Sequence, residues 1–228
     1  MKLFLLPLLL PLFLVLTGCD VIPAPQADAT HFYVLSGPTV TSEVITGPMA
    51  SNAAASSRGA RRSVATRGLR LGLRSVEVAG YLKTRSMVVR SGTNELVLED
   101  LQRWAEPIDE AIGRVVRARL LANPAVGRVM PQPFPFDAER DYDIAISVVR
   151  CEGGTKDATH AVARFAAVIE ITTADANPLV VAHDVFVAPD AAWDGHDFGQ
   201  LAALLGEDAA ALGQEIVSSL PPMPAPAP

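Results

Sequence analysis

The chain has 228 residues, a formal net charge of −6, an isoelectric point near 5.2, 50% hydrophobic residues and 19% charged ones. That length suits one domain of ordinary size plus a tail, with enough chain to bury a core. The acidic balance argues against a nucleic-acid binder, which needs a basic face toward phosphate. Two cysteines, Cys19 and Cys151, cannot build a disulfide framework, and four scattered histidines without a cysteine pair offer no structural zinc set.

Residues 1–18 hold 13 hydrophobic residues and a single charge, Lys2. The apolar run Leu3 to Leu16 falls short of the roughly 20 residues that cross a bilayer, and Pro7 and Pro11 weaken it further as a helix. It reads as a secretory signal peptide. The run ends in Leu16-Thr17-Gly18-Cys19, which resembles the bacterial lipobox. There the small residues admit the cleaving peptidase, and the cysteine thiol takes a thioether-linked diacylglycerol and becomes the mature N-terminus. The alternative is an ordinary signal peptide ending near a cysteine by chance. On the lipobox reading Cys19 is lipidated, and two or more acyl chains hold the protein at a membrane with about 0.8 kcal/mol per buried methylene. Asp20 resembles the inner-membrane retention signal of enteric sorting, but sorting rules differ among bacteria, so the choice of membrane stays open. Cys151, then the single remaining thiol, is expected in the core.

Residues 19–30 form the lipidated N-terminus and a Pro/Ala-rich tether. His31 to Leu35 is aromatic and apolar and is stopped by Ser36-Gly37-Pro38, so it reads as a short strand. Residues 39–66, small and polar, are expected to be a mobile loop. Leu69, Leu71 and Leu73 alternate with polar or small residues, after which the apolar phase slips to Val76 and Val78, predicting a strand with a bulge near Ser75. Met87 to Arg90, the turn residues Ser91 to Asn94, and Glu95 to Glu99 predict a β-hairpin. Glu106-Pro107 opens a helix, with Pro107 expected at the first helical position. Its apolar stripe is Ile108, Ala111, Ile112, Val115, Val116 and Leu120, and it ends before Asn123-Pro124. A strand follows around Arg128 to Met130. Two long strands, Tyr142 to Cys151 and Ala161 to Thr172, are expected to be joined through a turn at Glu152-Gly153-Gly154-Thr155, and a third runs from Pro178 to Val187. Leu201, Leu205, Ala209, Leu212 and Ile216 make Asp197 to Ser219 an amphipathic helix. A Pro/Ala-rich tail occupies residues 220–228. Strands and a helix, then strands and a helix, give one α/β domain over residues 31–219 with a mixed β-sheet.

Charge is uneven along the chain. Arg58, Arg61, Arg62, Arg67, Arg70, Arg74, Lys83, Arg85 and Arg90 stand against one acid, Glu77, for a local charge of +8, whereas the segment from Ser91 onward carries −12. The six arginines from Arg58 to Arg74 are a candidate basic strip facing lipid headgroups or an acidic partner. The competing reading is a solvated loop followed by the outer face of a strand.

No catalytic motif appears: there is no Gly-x-Ser-x-Gly, no His-Glu-x-x-His and no phosphate-cradling glycine loop. His183 and Asp184 are neighbours on a strand, so they point to opposite faces. Asp190, Asp194, His196 and Asp197 cluster before the last helix, where Asp197 is the expected N-cap rather than a metal ligand. No metal, cofactor or enzyme activity is assigned.

Three segments together resemble the ABC-type transport auxiliary lipoproteins, the PqiC-like partners of MCE intermembrane lipid-transport systems. They are Phe32-Tyr33-Val34-Leu35-Ser36; Tyr81-Leu82 with Met87-Val88-Val89-Arg90; and Arg103-Trp104-Ala105-Glu106-Pro107-Ile108 leading into Ile112-Gly113-Arg114-Val115-Val116 and Leu120-Leu121. Their order, the lipobox and the closing helix cover about residues 31–219. The chain departs from the family at Ala79-Gly80, where a proline usually precedes Tyr-Leu, and in the length of the 39–66 loop. The resemblance implies a three-layer α/β/α domain, no catalysis, and a place beside an ABC permease, its ATPase and a periplasmic MCE-domain protein. The lipoprotein would tie their conduit to a bilayer, with a homo-oligomeric ring as one arrangement. Tyr81, Arg90 and Trp104 are the matched candidate partner contacts. In structural terms Trp104 would plug the core and Arg90 would pair with an acid on a neighbouring strand. The alternative function is a stand-alone envelope lipoprotein that binds lipid or glycan itself.

Overall fold

The computed structural model describes residues 28–37, 68–155 and 160–221; Cys19, the arginines at 58, 61, 62 and 67, the 39–66 loop and nearly all of the tail lie outside them. Among the described residues there are nine strands and two helices, in the order β1 (His31–Tyr33), β2 (Leu69–Val78), β3 (Ser86–Ser91), β4 (Glu95–Trp104), α1 (Ile108–Leu121), β5 (Val126–Pro131), β6 (Tyr142–Thr155), β7 (Ala161–Thr173), β8 (Val180–Val187), β9 (Ala191–Trp193) and α2 (Phe198–Ser219). The strands form one mixed sheet, as the alternation of strands and helices predicts.

Its spine is the antiparallel pair β6–β7, registered from Tyr142↔Thr173 to Thr155↔Ala161. Both ends of this pair fork. Along one edge, β6 pairs in parallel with β2 over residues 142–148 and then with β3 at Gly153 and Gly154. Along the other, β7 pairs with β8 through residues 166–172 and with β9 through residues 161–163. β5 extends the β2 branch, while β4 and β1 extend the β3 branch.

The core lies on one face. Ile144, Ile146 and Val148 of β6 are buried opposite Ile171, Ile169 and Ala167 of β7, while Ser147 between them and Arg150 beyond the bulge are exposed. This is the period of two that a half-covered sheet demands. All six residues of the α1 stripe and all five of the α2 stripe are buried. Each large aliphatic side chain so removed from water contributes about 1.5–3 kcal/mol. The slip at Ser75 is present: the register with β6 shifts between Leu73 and Val76, which turns Arg74 and Ser75 outward and returns Val76 and Val78 to the core.

Three expectations are corrected, and one strand has no counterpart in the sequence pattern. The helices pack against each other, α1 over β2 and β5 and α2 over β7, so both lie on one face. His183, Val185 and Val187 of β8 and Ser147 and Arg150 of β6 are exposed on the other. The expected three layers are therefore not found among the described residues, where one helical layer covers one sheet. Pro107 is the N-cap with extended ψ of 135°, one residue before the helix proper. Glu152 to Thr155 is no turn but the last stretch of β6. Its glycines are there for closeness: a Cβ on Gly153 would lie 2.7 Å from Trp193 Cζ3 and 3.2 Å from Leu201 Cδ2. Finally β9, three residues long, is too short to give a periodic signal.

The N-terminal strand is fixed by a close approach of another kind. Leu35 is fully buried, and the Ser36 backbone runs so near Gly206 of α2 that a Cβ there would collide with the Ser36 carbonyl oxygen. Gly206→Ala is expected to lower unfolding stability by about 1–3 kcal/mol, read by urea titration, because the obstacle is backbone and cannot rotate away.

Candidate functional site

Where β6 changes partner, from β2 ending at Val148 to β3 beginning at Gly153, residues 149–152 have no ladder partner on that edge. Val149 bulges there, since the register with β7 shifts between Val148 and Arg150. Three side chains close the gap. After the Ala79 N–H donates to the Val148 carbonyl (2.9 Å), the short 3₁₀ turn Gly80–Leu82 presents Tyr81, whose hydroxyl donates to the Val149 carbonyl at 3.0 Å. From β3, Arg90 donates through Nε to Glu152 Oε1 at 2.5 Å and through Nη2 to Oε2 at 3.3 Å, while Nη1 reaches the Thr93 carbonyl at 3.3 Å. The guanidinium stacks over the Tyr81 ring, 5.5 Å from its centroid.

Glu152 is wholly buried, so its charge survives only because a two-pronged guanidinium meets it. The same pairing holds the Arg90 pKa above its ordinary value, and burial beside Glu152 pushes the Tyr81 phenol up to about 12. Two of the three matched residues, Tyr81 and Arg90, thus meet in one cluster, organised around an acid on the neighbouring strand. Trp104 is not part of it. It is 4% exposed, pairs with Tyr33 across β1–β4, and lies in the core before α1. In the sequence Glu152 is hidden, because the two glycines after it resemble a turn. The available signal was the position of Arg90 at the end of a strand, which needs an acid nearby.

Of the six candidate strip arginines, the two described ones differ. Arg70 is neutralised, its Nη2 2.6 Å from Asp141 Oδ1, with Nη1 bonded to Glu139. Arg74, on the β2 bulge, is exposed and borders a cleft of about 360 Å³ with Arg114, Arg117, Asp109 and Glu110. Among the described residues the cleft's charge is therefore mixed rather than basic. The acidic cluster before α2 is consumed by backbone: Asp194 accepts from the His196 and Asp197 N–H groups at 2.7 Å, and Asp197 caps α2 through Gly199 and Gln200 N–H. These bonds hold the Asp194 pKa below its usual value. Asp190 pairs with Arg164 at 3.4 Å. His183 faces Glu170 at 3.8 Å while Asp184 accepts from the Ser219 hydroxyl, on opposite faces as alternation requires.

Family comparison follows this geometry. A family described as the ABC-type transport auxiliary lipoprotein component matches residues 51–217. The chain belongs to this family. Membership in a lipoprotein family implies a lipid-anchored location in the cell envelope, and ABC-type transport implies transporter partners. No curated protein matches significantly. Among solved structures, a protein from Xanthomonas campestris superposes with a TM-score of 0.58 at 19% identity, covering 66% of this chain and 82% of its own. A second, uncharacterized protein gives 0.51 at 14% identity, covering 66% and 90%. These likenesses concern the fold alone. Within this auxiliary lipoprotein the Tyr81–Arg90–Glu152 cluster binds strands together. It exposes no nucleophile, and its carboxylate is occupied.

A half-buried acid sits in α2. Asp208 Oδ2 is buried without a hydrogen-bond partner, and desolvation, with Glu207 adding repulsion, pushes its pKa up to about 6. Together with burial, Asp208 raises the pKa of the nearby Cys151 thiol, which is a core group as expected.

Two predictions arise here. Arg90→Ala should cost about 3–5 kcal/mol in chemical denaturation, because it strands the buried Glu152 charge, whereas Arg90→Leu with Glu152→Leu should recover most of that loss. For Asp208, the folded pKa lies above the unfolded one, so the native state binds the proton more tightly. The stability this contributes is full below about pH 4 and is lost as pH rises through about 6. Asp208→Asn should therefore raise stability at pH 7.5 by about 1–2 kcal/mol and leave it nearly unchanged at pH 3.5, as read by thermal melts across that range.

Proposed function

We propose that this protein is a non-enzymatic lipoprotein of an ABC/MCE-type intermembrane phospholipid transport system, anchored on the periplasmic face through Cys19. Residues 19–30 serve as its tether and residues 31–219 as the domain that docks the transport conduit to a membrane. The observation that carries this reading is the family match over residues 51–217 to an auxiliary component of ABC-type transport. The lipobox-like Leu16-Thr17-Gly18-Cys19 and the matched Arg103-Trp104-Ala105-Glu106-Pro107-Ile108 support it. The partners are an MCE-domain periplasmic protein and the permease and ATPase of the same system, with further copies of the chain in a ring.

Side-chain chemistry agrees with a scaffold. The acids and arginines brought together among the described residues cap helices or pair with one another. The clefts beside α1 are bordered by charged side chains, which suits a protein surface better than an acyl-chain pocket. No described helix is long and apolar enough to cross a membrane, so attachment would rest on the acylated cysteine.

Cys19→Ala should move the protein from the membrane to the soluble periplasmic fraction. In detergent extracts of the wild type, crosslinking should recover an MCE-domain protein. A membrane-bound Cys19→Ala variant would refute the anchor, and repeated crosslinking without such a partner would refute the docking role.

A further inference from the structure

Strand β1 and the residue that follows it carry two large apolar side chains that the fold does not use. Phe32 is 60% exposed and Val34 52%, although their neighbours Tyr33 and Leu35 turn inward. Alternation fixes this division. The Tyr33 hydroxyl donates to Gln102 Oε1 at 2.7 Å, its ring packs on the core, and its carbonyl accepts from the Ala105 N–H at 2.8 Å. Leu35 is fully buried, and Ser36 is wedged against Gly206. Phe32 and Val34 are therefore presented by a segment locked at several points.

The parallel register with β4 sets Phe32 beside Arg103, and Leu101, in the irregular stretch of β4 where its register with β3 shifts, is 51% exposed. The result is an outward apolar group of Phe32, Val34 and Leu101 edged by a cation. Arg103 spends its Nε on the Asp100 carbonyl at 2.8 Å, and exposed Arg85 lies close by, its carbonyl accepting from the Trp104 N–H. Two acids lie near the group: exposed Asp100, directly before Leu101 on β4, and Asp28, whose pKa is lowered mainly by Thr30 and in part by Arg103.

Chain length decides what this group meets. Eight residues, Asp20 to Ala27, separate Cys19 from Asp28. Even fully extended they span only about 30 Å. With Cys19 acylated, Asp28 cannot stand farther from the bilayer than that and the start of β1, three residues on at His31, no farther than about 40 Å, and no other described part of the domain is tied so closely to it. An aromatic ring, two aliphatic side chains and flanking arginines are the composition that settles at the boundary of headgroups and acyl chains.

We propose that Phe32, Val34 and Leu101, with Arg103 at their edge, form a membrane seat that rests on the bilayer interface and fixes the orientation of the anchored domain. The seat rests on the reading of Cys19 as the anchor, and the test separates the two. The mature chain carrying Phe32→Trp is examined in vesicles containing brominated phosphatidylcholine, once as the lipoprotein purified from membranes and once coupled through Cys19 to a maleimide lipid. Cys151 is buried and does not compete for the maleimide. A chain with Val185→Trp, at an equally exposed position on β8, is the control; the native Trp104 and Trp193 are buried. Emission from position 32 should shift to the blue and be quenched about twofold more than emission from position 185, in both preparations. Adding Leu101→Ser should reduce the quenching. Equal quenching at the two positions, or none at 32, overturns the seat. Quenching in the coupled preparation together with an unmodified Cys19 in the purified protein, read by mass spectrometry, sustains the seat and overturns the anchor. If Phe32→Ser abolishes crosslinking to a protein partner while position 32 stays unquenched, the group is a protein contact and the seat is wrong.

Discussion

The architecture turns on a single difficulty: β6 is longer than either strand that pairs with its inner edge. β2 serves its first half and β3 its last residues, and the change of partner opens a gap in the ladder at residues 149–152. Unpaired backbone in a covered sheet is costly. The protein fills the gap with Tyr81 on the Val149 carbonyl and a buried Arg90–Glu152 pair whose charges satisfy each other. Loss of one member would leave an isolated charge at the junction of the two branches, so the β3–β4–β1 branch is tied to the spine by electrostatics as much as by its two ladder residues.

This explains why Tyr81 and Arg90 sit in a recognisable pattern without being a catalytic site. A motif can mark a joint as readily as a binding surface. Such a joint ties β3 and the turn before it to the end of β6. Trp104 belongs to the same structural economy on the core side, under the start of α1.

The sequence was legible wherever one face of an element meets the core. The stripes of α1 and α2 and the phase slip at Ser75 could be read from periodicity, because burial on one side imposes a period, and the β3–β4 hairpin from its turn residues. Misreadings came where a residue was chosen for something other than period. Gly153 is small because Trp193 and Leu201 press on it, yet a Gly-Gly pair in sequence looks like a turn. β9 is too brief to have a pattern. The three-layer expectation came from resemblance, whereas the alternation of buried and exposed residues along β6 is that of a sheet covered on one face. The arginines between 58 and 90 looked alike as charges. Only the fold shows that Arg70 and Arg90 are neutralised by Asp141 and Glu152, whereas Arg74 is exposed on its bulge.

The way β1 is secured also bears on mechanical load. Any tension arriving from the N-terminal side reaches the domain at His31, passes along three ladder pairs to β4, and meets Leu35 sunk in the core with Ser36 jammed against α2. A pull that peeled the short strand would halt at that plug, short of the helices. The load would thus fall on the Leu35 plug and the Ser36–Gly206 contact before it reached the rest of the sheet.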